Sequence, residues 1–390
     1  FDDPAAAPVR KVEDGLYCLE LWHGPTSAFK DMALQMLPQL LSAALRKTGE
    51  KRTACILAAT SGDTGKAAME GFADVPQTRI QVYYPKNGVS AVQEQQMVTQ
   101  EGENVDVRAV IGNFDDAQSG VKRIFSDEAI RAELEKRGYF LSSANSINWG
   151  RILPQVVYYI SAYCDLVRSG AIAMGDKVNF CVPTGNFGDI LAAYYAKRMG
   201  LPVNKLICAS NSNNVLTDFL RTGIYDRNRP FHTTISPSMD ILISSNLERL
   251  LFDLSGENDA EIRMYMDALG SAGRYQVSDN IKAKLDDAFW GGCCSEEETE
   301  KTIRRYWQDH NYLIDPHTAV AAEVLAQYRA ASGDETPAVV VSTASPYKFC
   351  GSVLTAIGET PRGDGVELLD HIVVAEDDYV SLADSGILQR

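Results

Sequence analysis

"RTACILAATSGDTGKAAMEGF", residues 52–72, decides the fold class. The apolar run RTACILAAT has strand character, SGDTG interrupts it, and KAAMEGF continues as a helix. The same order recurs downstream: a strand in RIQVYYP (79–85), a helix in AVQEQQMVTQ (91–100), an extended NVDVRAV (104–110). A long amphipathic helix follows from Asp115 to Lys136, closing near Gly138. A second series begins with NSINWGRILPQ (145–155) and the helix VVYYISAYCDLVRSG (156–170). It runs through the strand KVNFCVP (177–183), the loop TGNFGD (184–189), the helix ILAAYYAKRMG (190–200) and the strand KLICAS (205–210). From Tyr225 to Tyr312 the chain is polar and reads as mostly helical, before AVAAEVLAQYRA, the strand AVVVSTAS (338–345) and a last helix from Lys348. Repeated strand–helix units predict an α/β protein with two mainly parallel sheets flanked by helices. The expected division is residues 1–48 as a leading segment, 49–149 as a small α/β domain, and 150–390 as a large α/β domain with a helical insertion at about 225–312. No low-complexity linker separates them, so the domains are expected to share an interface.

The 390 residues suffice for two or three domains. With 52 acidic and 37 basic residues the formal charge is −15, which repels nucleic acid and anionic membranes, and no basic run offsets it. Eight cysteines are scattered without CxxC or Cys/His spacing, so neither a disulfide framework nor a metal site is expected, and a reducing cytoplasm fits. No run of about 18 apolar residues predicts a membrane span. The start, FDDPAAAPVRKVEDG, lacks methionine and the regions of a signal peptide, and is expected to belong to a fragment or a processed form.

Upstream of the first series, LWHGPTSAFKDMALQML (21–37) places a lysine where a helix is about to bury itself. Counted at about 100° per residue over 28–46, Asp31, Gln35, Gln39, Ser42 and Arg46 share one stripe. Lys30 instead lies in a row with Leu34, Leu37 and Leu41. An ammonium on an apolar side is a hidden ion partner, an amine kept for chemistry, or a side chain snorkelling to water. Pro38 is expected to kink or break this helix.

Two glycine loops, SGDTG (61–65) and GNFGD (185–189), each join a strand to the helix after it. Unpaired amides at a helix start carry partial positive charge and bind anions. Neither loop matches a Walker or dinucleotide motif; two together suggest a ligand with two anionic groups, or two ligands side by side. Pyridoxal 5′-phosphate needs an amine, an anion cradle and a group facing its ring nitrogen. Lys30, GNFGD and the Thr343 hydroxyl of TASP are the candidates for these.

In order, HGPTSAFKD, ATSGDTG, NSIN, PTGNFGD and TASPYKF closely resemble the threonine synthase family, fold type II pyridoxal phosphate enzymes akin to the tryptophan synthase β chain. The likeness runs from about Leu16 to about Gly351 and is most specific to the longer microbial branch. That branch carries an N-terminal domain ahead of the lysine motif, whereas only a short stretch precedes it here, so this domain is expected to be missing.

The resemblance implies that Lys30 holds the cofactor covalently and moves protons at the substrate Cα and Cβ. Desolvation lowers a lysine pKa toward the range such a base needs. It further implies that Gly185, Asn186, Phe187, Gly188 and Asp189 surround the cofactor phosphate and that Thr343 faces the ring nitrogen. Asp189 is expected to cap its helix rather than touch the anion. Ser61, Gly62, Thr64 and Gly65 are implied to take the substrate α-carboxylate, with Asp63 near the cofactor's 3′ oxygen. The implied substrate, O-phospho-L-homoserine, needs a second anion site, for which Ser146, Asn148 and Arg151 are candidates and Lys86 a further one. The ordinary reading of Arg151 is a helix-start arginine in a surface ion pair. His23 is expected to be structural, and the chain to be a monomer or homodimer without nucleic-acid or membrane partners. The alternatives are a serine/threonine dehydratase-like lyase, which has no use for a phosphate clamp, and a noncatalytic metabolite-binding relative.

Overall fold

Strands that read as unbroken apolar runs are buried on both faces, the condition that parallel sheets between helices create. The structure, a computed structural model, describes residues 5–60, 62–86, 88–89, 91–112, 114–146, 148–359, 372–375 and 378–381. Its first strands are β1 (Val9–Glu13), β2 (Leu16–Glu20), β3 (Thr53–Ala59), β4 (Thr78–Pro85), β5 (Val105–Val110) and β6 (Tyr139–Ser143). There follow β7 (Val178–Pro183), β8 (Val203–Ser210), β9 (Ile224–Asp226), β10 (Arg274–Gln276), β11 (Phe289–Cys293) and β12 (Ala338–Ser342). One sheet has the order β5–β4–β3–β6 and is parallel throughout. The other has the order β1–β2–β12–β7–β8–β11, parallel except for the β1–β2 hairpin. Every residue of β7 and β12 is buried.

The hairpin is absent from the sequence expectations. Its turn is Asp14–Gly15, with Gly15 at φ 72°, a left-handed conformation that glycine adopts without a Cβ penalty. The chain thus starts in the six-stranded sheet, crosses to the four-stranded one, and returns.

Helices α1 (Lys30–Leu34) and α2 (Leu37–Thr48) make the outward crossing. The single helix expected over 28–46 is therefore two, broken at Gln35–Met36. Pro38 sits in the first turn of α2, where no amide donor is required. The break ends the angular count, and Asp31, assigned to a polar stripe, is buried. It accepts from the Thr26 amide at 2.8 Å and the Thr26 hydroxyl at 2.6 Å.

In the four-stranded sheet, α3 (Asp63–Phe72), α4 (Ala91–Val98), α5 (Phe114–Ser126) and α6 (Glu128–Lys136) connect the strands. The long helix expected over 115–136 divides at Asp127, which caps α6 by accepting from the Ala129 and Ile130 amides. The return is α7 (Trp149–Arg168), followed after β7 by α8 (Gly188–Arg198).

The segment 225–312 is not helical alone. β9 and β10 pair as a small antiparallel ribbon, and β11 joins β8 at the edge of the six-stranded sheet. Two glycines in FWGGC disguise β11, since glycine is depleted in strands. Gly291 is needed there because an added Cβ would stand 3.2 Å from Thr217 Cα and Leu220 Cβ of the overlying helix. Among the described residues no helix is long and apolar enough to cross a membrane.

Candidate active site

The loops after β3, β7 and β12 lie at the carboxyl ends of parallel strands, the side on which open α/β sheets bind ligands. Backbone bonds stitch the approach to α1 onto the loop after β12. The Phe29 amide donates to the Thr343 carbonyl at 2.8 Å, Ala28 bridges Ala344, and the Ser345 amide donates to Ser27 at 3.1 Å. Buried Thr343 is thereby held against Phe29, the residue before Lys30. Lys30 begins α1 with its side chain 12% exposed and its Nζ 4.7 Å from the Phe29 ring centroid. Burial pushes its pKa down to about 8; Asp63 pulls it up, Lys348 and Arg151 push it down, and Asp189 pulls it up.

Asp63 opens α3 directly opposite. Its Oδ2 lies 4.0 Å from Lys30 Nζ and accepts from Ser238 Oγ at 3.4 Å. Its Oδ1 accepts from Lys348 Nζ at 2.7 Å and from Gln93 Nε2 at 3.2 Å. Burial disfavours this carboxylate, but the Lys348 and Lys30 charges hold it well below the usual range. Lys348 is the residue that sequence reasoning missed within TASPYKF. It also donates to the Thr26 carbonyl at 2.9 Å.

The first loop is less open than the sequence suggests. Thr60 Oγ1 accepts from the Gly62 amide at 3.0 Å and the Gly65 amide at 2.9 Å, so both candidate donors are engaged within the chain. Asp63 and Thr64 supply the remaining first-turn amides of α3, and Ser61 lies outside the described residues.

At the second loop, the Gly185 carbonyl accepts from Ser244 Oγ at 2.9 Å. The Asn186 carbonyl accepts from Asn246 through Nδ2 at 2.9 Å and through the amide at 3.2 Å. With these carbonyls occupied, the first-turn amides of α8 and the Asn186 side chain are the donors this loop can offer a ligand. Phe187 takes φ 64° and buries its ring, and Gly188 begins the helix. A Cβ on Gly185 would stand 2.6 Å from the Ser238 carbonyl oxygen. The Ser238 amide in turn donates to His317 Nε2 at 3.2 Å, so the Nδ1 of His317 carries the proton and donates to Asp315 at 2.7 Å. This buried Asp315–His317 pair, which fixes the strap over Gly185, has no motif that announces it.

Asp189 does not cap α8. Its Oδ1 accepts from the Tyr158 hydroxyl and, at 2.6 Å, from the Tyr159 hydroxyl of α7. Burial pushes its pKa up to about 6, against the pull of those hydroxyls and of Lys30. Its Oδ2 is buried and has no hydrogen-bond partner among the described residues.

The third cluster divides. Asn148 does cap its helix: it accepts from the Gly150 amide at 3.0 Å and donates to the Ser143 carbonyl at 3.0 Å, which spends its amide on structure. Ser146 Oγ accepts from Asn246 Nδ2 at 2.9 Å and so touches the second loop's strap. Arg151 is 3% exposed and donates from Nη1 to the Ala144 carbonyl at 2.5 Å. Among the described residues no carboxylate pairs with it and its Nε has no partner, which excludes the surface ion pair. Burial pulls its pKa down to about 10, opposed by Tyr158. Lys86 stands exposed at the end of β4 and makes no contact with this cluster among the described residues. His23 pairs with Glu20 at 2.8 Å and stacks on Trp22.

Pyridoxal phosphate fits these residues. A shielded amine of lowered pKa, and a loop whose Gly185 admits no Cβ leading into the first-turn amides of α8, are what an aldehyde bearing a phosphate ester needs. The comparisons with known proteins agree. Residues 4–274 match the pyridoxal-phosphate dependent enzyme family, and residues 318–382 match the threonine synthase C-terminal family. The chain is 43% identical to Homo sapiens threonine synthase-like 1 over 359 residues, 90% of this chain and 47% of that protein. It thus spans about half the length of that relative. It is 42% identical to Pseudomonas aeruginosa threonine synthase over 362 residues, 93% of this chain and 74% of that protein. The crystal structure of pyridoxal phosphate-bound threonine synthase from Brucella melitensis superposes with a TM-score of 0.84 at 42% identity, over 94% of this chain and 75% of that one. On the strength of both the fold and these matches, the chain belongs to the threonine synthase family of fold type II enzymes and takes pyridoxal 5′-phosphate as its cofactor.

Proposed function

We propose that the chain converts O-phospho-L-homoserine and water to L-threonine and phosphate. The observation that carries this reading is Arg151. It is a buried guanidinium without a carboxylate partner, near enough to Lys30 to depress its pKa. Such a group calls for an anion, and a substrate phosphate separate from the cofactor's own supplies one.

Lys30 holds the cofactor, the Gly185–Gly188 turn and the start of α8 bind its phosphate, and Thr343 offers a neutral hydroxyl to its ring nitrogen. When bound, pyridoxal phosphate supplies an electron sink for negative charge developing at substrate carbons. Asp63 and Thr64 amides orient the substrate carboxylate. Ser146 and Arg151 hold the substrate phosphate until it leaves from Cγ. With a pKa of about 8, Lys30 is suited to take protons from Cα and then Cβ as phosphate leaves Cγ, and to return them at Cγ and, once the hydroxyl of water has added at Cβ, at Cα, while the proton of that water goes to the released phosphate. Closure of the two sheets would exclude water from the earlier steps.

Incubation of the cofactor-loaded chain with O-phospho-L-homoserine should release phosphate and threonine in equal amounts. Arg151→Ala should lower kcat/KM by about 100-fold or more, since it removes a charge-assisted contact to a buried anion. The dehydratase-like alternative gives ammonia and a 2-oxo acid from serine or threonine, and is indifferent to Arg151. Finding those products, with no phosphate release, would overturn the proposal.

A further inference from the structure

Two lysines compete for one buried carboxylate, and they do not share it equally. Lys348 Nζ lies 2.7 Å from Asp63 Oδ1, whereas Lys30 Nζ stays 4.0 Å from Asp63 Oδ2, outside hydrogen-bond reach. Both lysines and the carboxylate are shielded, with side-chain exposures of 5%, 12% and 3%. Lys348 is also fixed by its second acceptor, the Thr26 carbonyl at 2.9 Å. Thr26 in turn is anchored by Asp31 through both its amide and its hydroxyl. The ammonium of Lys348 therefore occupies a built position rather than one of many rotamers.

We propose that Lys348 is a positioning residue: it holds Asp63 out of hydrogen-bond contact with Lys30 and so keeps the Lys30 amine available in its neutral, nucleophilic form. The inference rests on Lys30 being the amine that takes the cofactor. The charged groups facing Lys30 are Asp63 from α3, Lys348 from the segment after β12, Arg151 from α7 and Asp189 from α8. Of these, only Lys348 both repels a proton on Lys30 and neutralises the carboxylate that would attract one. Without it, Asp63 is left with Lys30 as its single nearby lysine, and a direct ion pair would fix the proton on the amine that must lose it.

The test uses the cofactor-free chain mixed with pyridoxal phosphate from pH 6 to 10. Formation of the covalent link is followed by its visible absorbance, then trapped by borohydride and located by mass spectrometry. Lys348→Met should move the midpoint of link formation to higher pH by about one pH unit, and slow formation at pH 7.5 by about tenfold. Lys348→Arg, which keeps the charge, should restore most of the wild-type profile. A merely structural role would weaken cofactor binding without moving the midpoint, and that result, on a variant with an unchanged melting curve, overturns the inference. Should Lys348→Met fail to fold, Asp63→Asn is read instead: removing the contested anion should move the midpoint below wild type, and an unmoved midpoint overturns the inference equally. Persistence of the link in Lys30→Ala overturns the assignment of the amine and this inference with it. An unmoved midpoint with the link still on Lys30 overturns this inference alone.

Discussion

Lys30 carries a charge in a place that resists it. With its pKa at about 8, roughly a quarter of the amine is neutral at pH 7.5, against about one part in a thousand for an exposed lysine. Chemistry gains from this and stability loses. Between about pH 8 and the ordinary value of 10.5 the unfolded chain binds a proton that the folded chain has released, so stability rises with pH across that window. Below pH 8 the full penalty is present. Lys30→Met in the cofactor-free chain should therefore be more stable than wild type at pH 7, by up to about 3 kcal/mol, with the advantage fading toward pH 10.5. Urea unfolding at several pH values measures it, and an advantage equal at both ends would contradict the argument. Lys30 stood out in the sequence by its row with the leucines, although only Leu34 of that row shares its helix and the side chain is shielded among charged groups. The Asp63–Lys348 contact did not, because 285 residues separate the partners and neither departs from its own neighbourhood.

At the scale of elements, α1 and α3 set the distance between Lys30 and Asp63. They touch at Gly71, where an added Cβ would lie 2.0 Å from the Leu34 carbonyl oxygen. Gly71→Ala must push α1 off α3 and displace Lys30, although Gly71 itself touches nothing reactive. We expect at least about a tenfold loss in cofactor affinity, read by fluorescence titration, because sub-ångström placement governs such a site. Gly185→Ala should weaken the cofactor comparably by moving the Ser238 strap, while Gly270→Ala, in open space on a helix, should leave affinity unchanged. Strands and glycine loops were readable since period and composition are local signals. The Asp127 cap and the engagement of the Gly62 and Gly65 amides by Thr60 are local as well, but they turn on single hydrogen bonds two to five residues apart that leave no periodic trace, and the glycines of β11 mask its strand composition. The Asp14–Gly15 turn was a readable hairpin signal that the parallel pattern overshadowed.

Across the whole molecule, the cleft is bridged by Asp63 with Lys348 and Ser238, and by Ser146 with Asn246. A ligand bound there touches both sheets and should stabilise them as one. Pyridoxal phosphate at 100 times its Kd contributes about 2.7 kcal/mol. All four tryptophans lie outside residues 53–143, so their fluorescence reports the six-stranded sheet, whereas far-ultraviolet circular dichroism reports both. The two transitions should rise together on adding cofactor, and a shift confined to one probe would mean that the bridging contacts do not couple the sheets.

One more consequence follows from where β2 finds its neighbour. Its backbone pairs with β12, and the tie just beyond it, Trp22 to Ser342, joins residues 320 apart. During synthesis the ribosome therefore releases β2 long before the strand that must cover it exists, while the four-stranded sheet is already complete in the nascent polypeptide. Such a high contact order makes Lys30, tethered to that late junction, one of the last groups expected to be seated, so completion of the cleft is expected as a closing event of biogenesis.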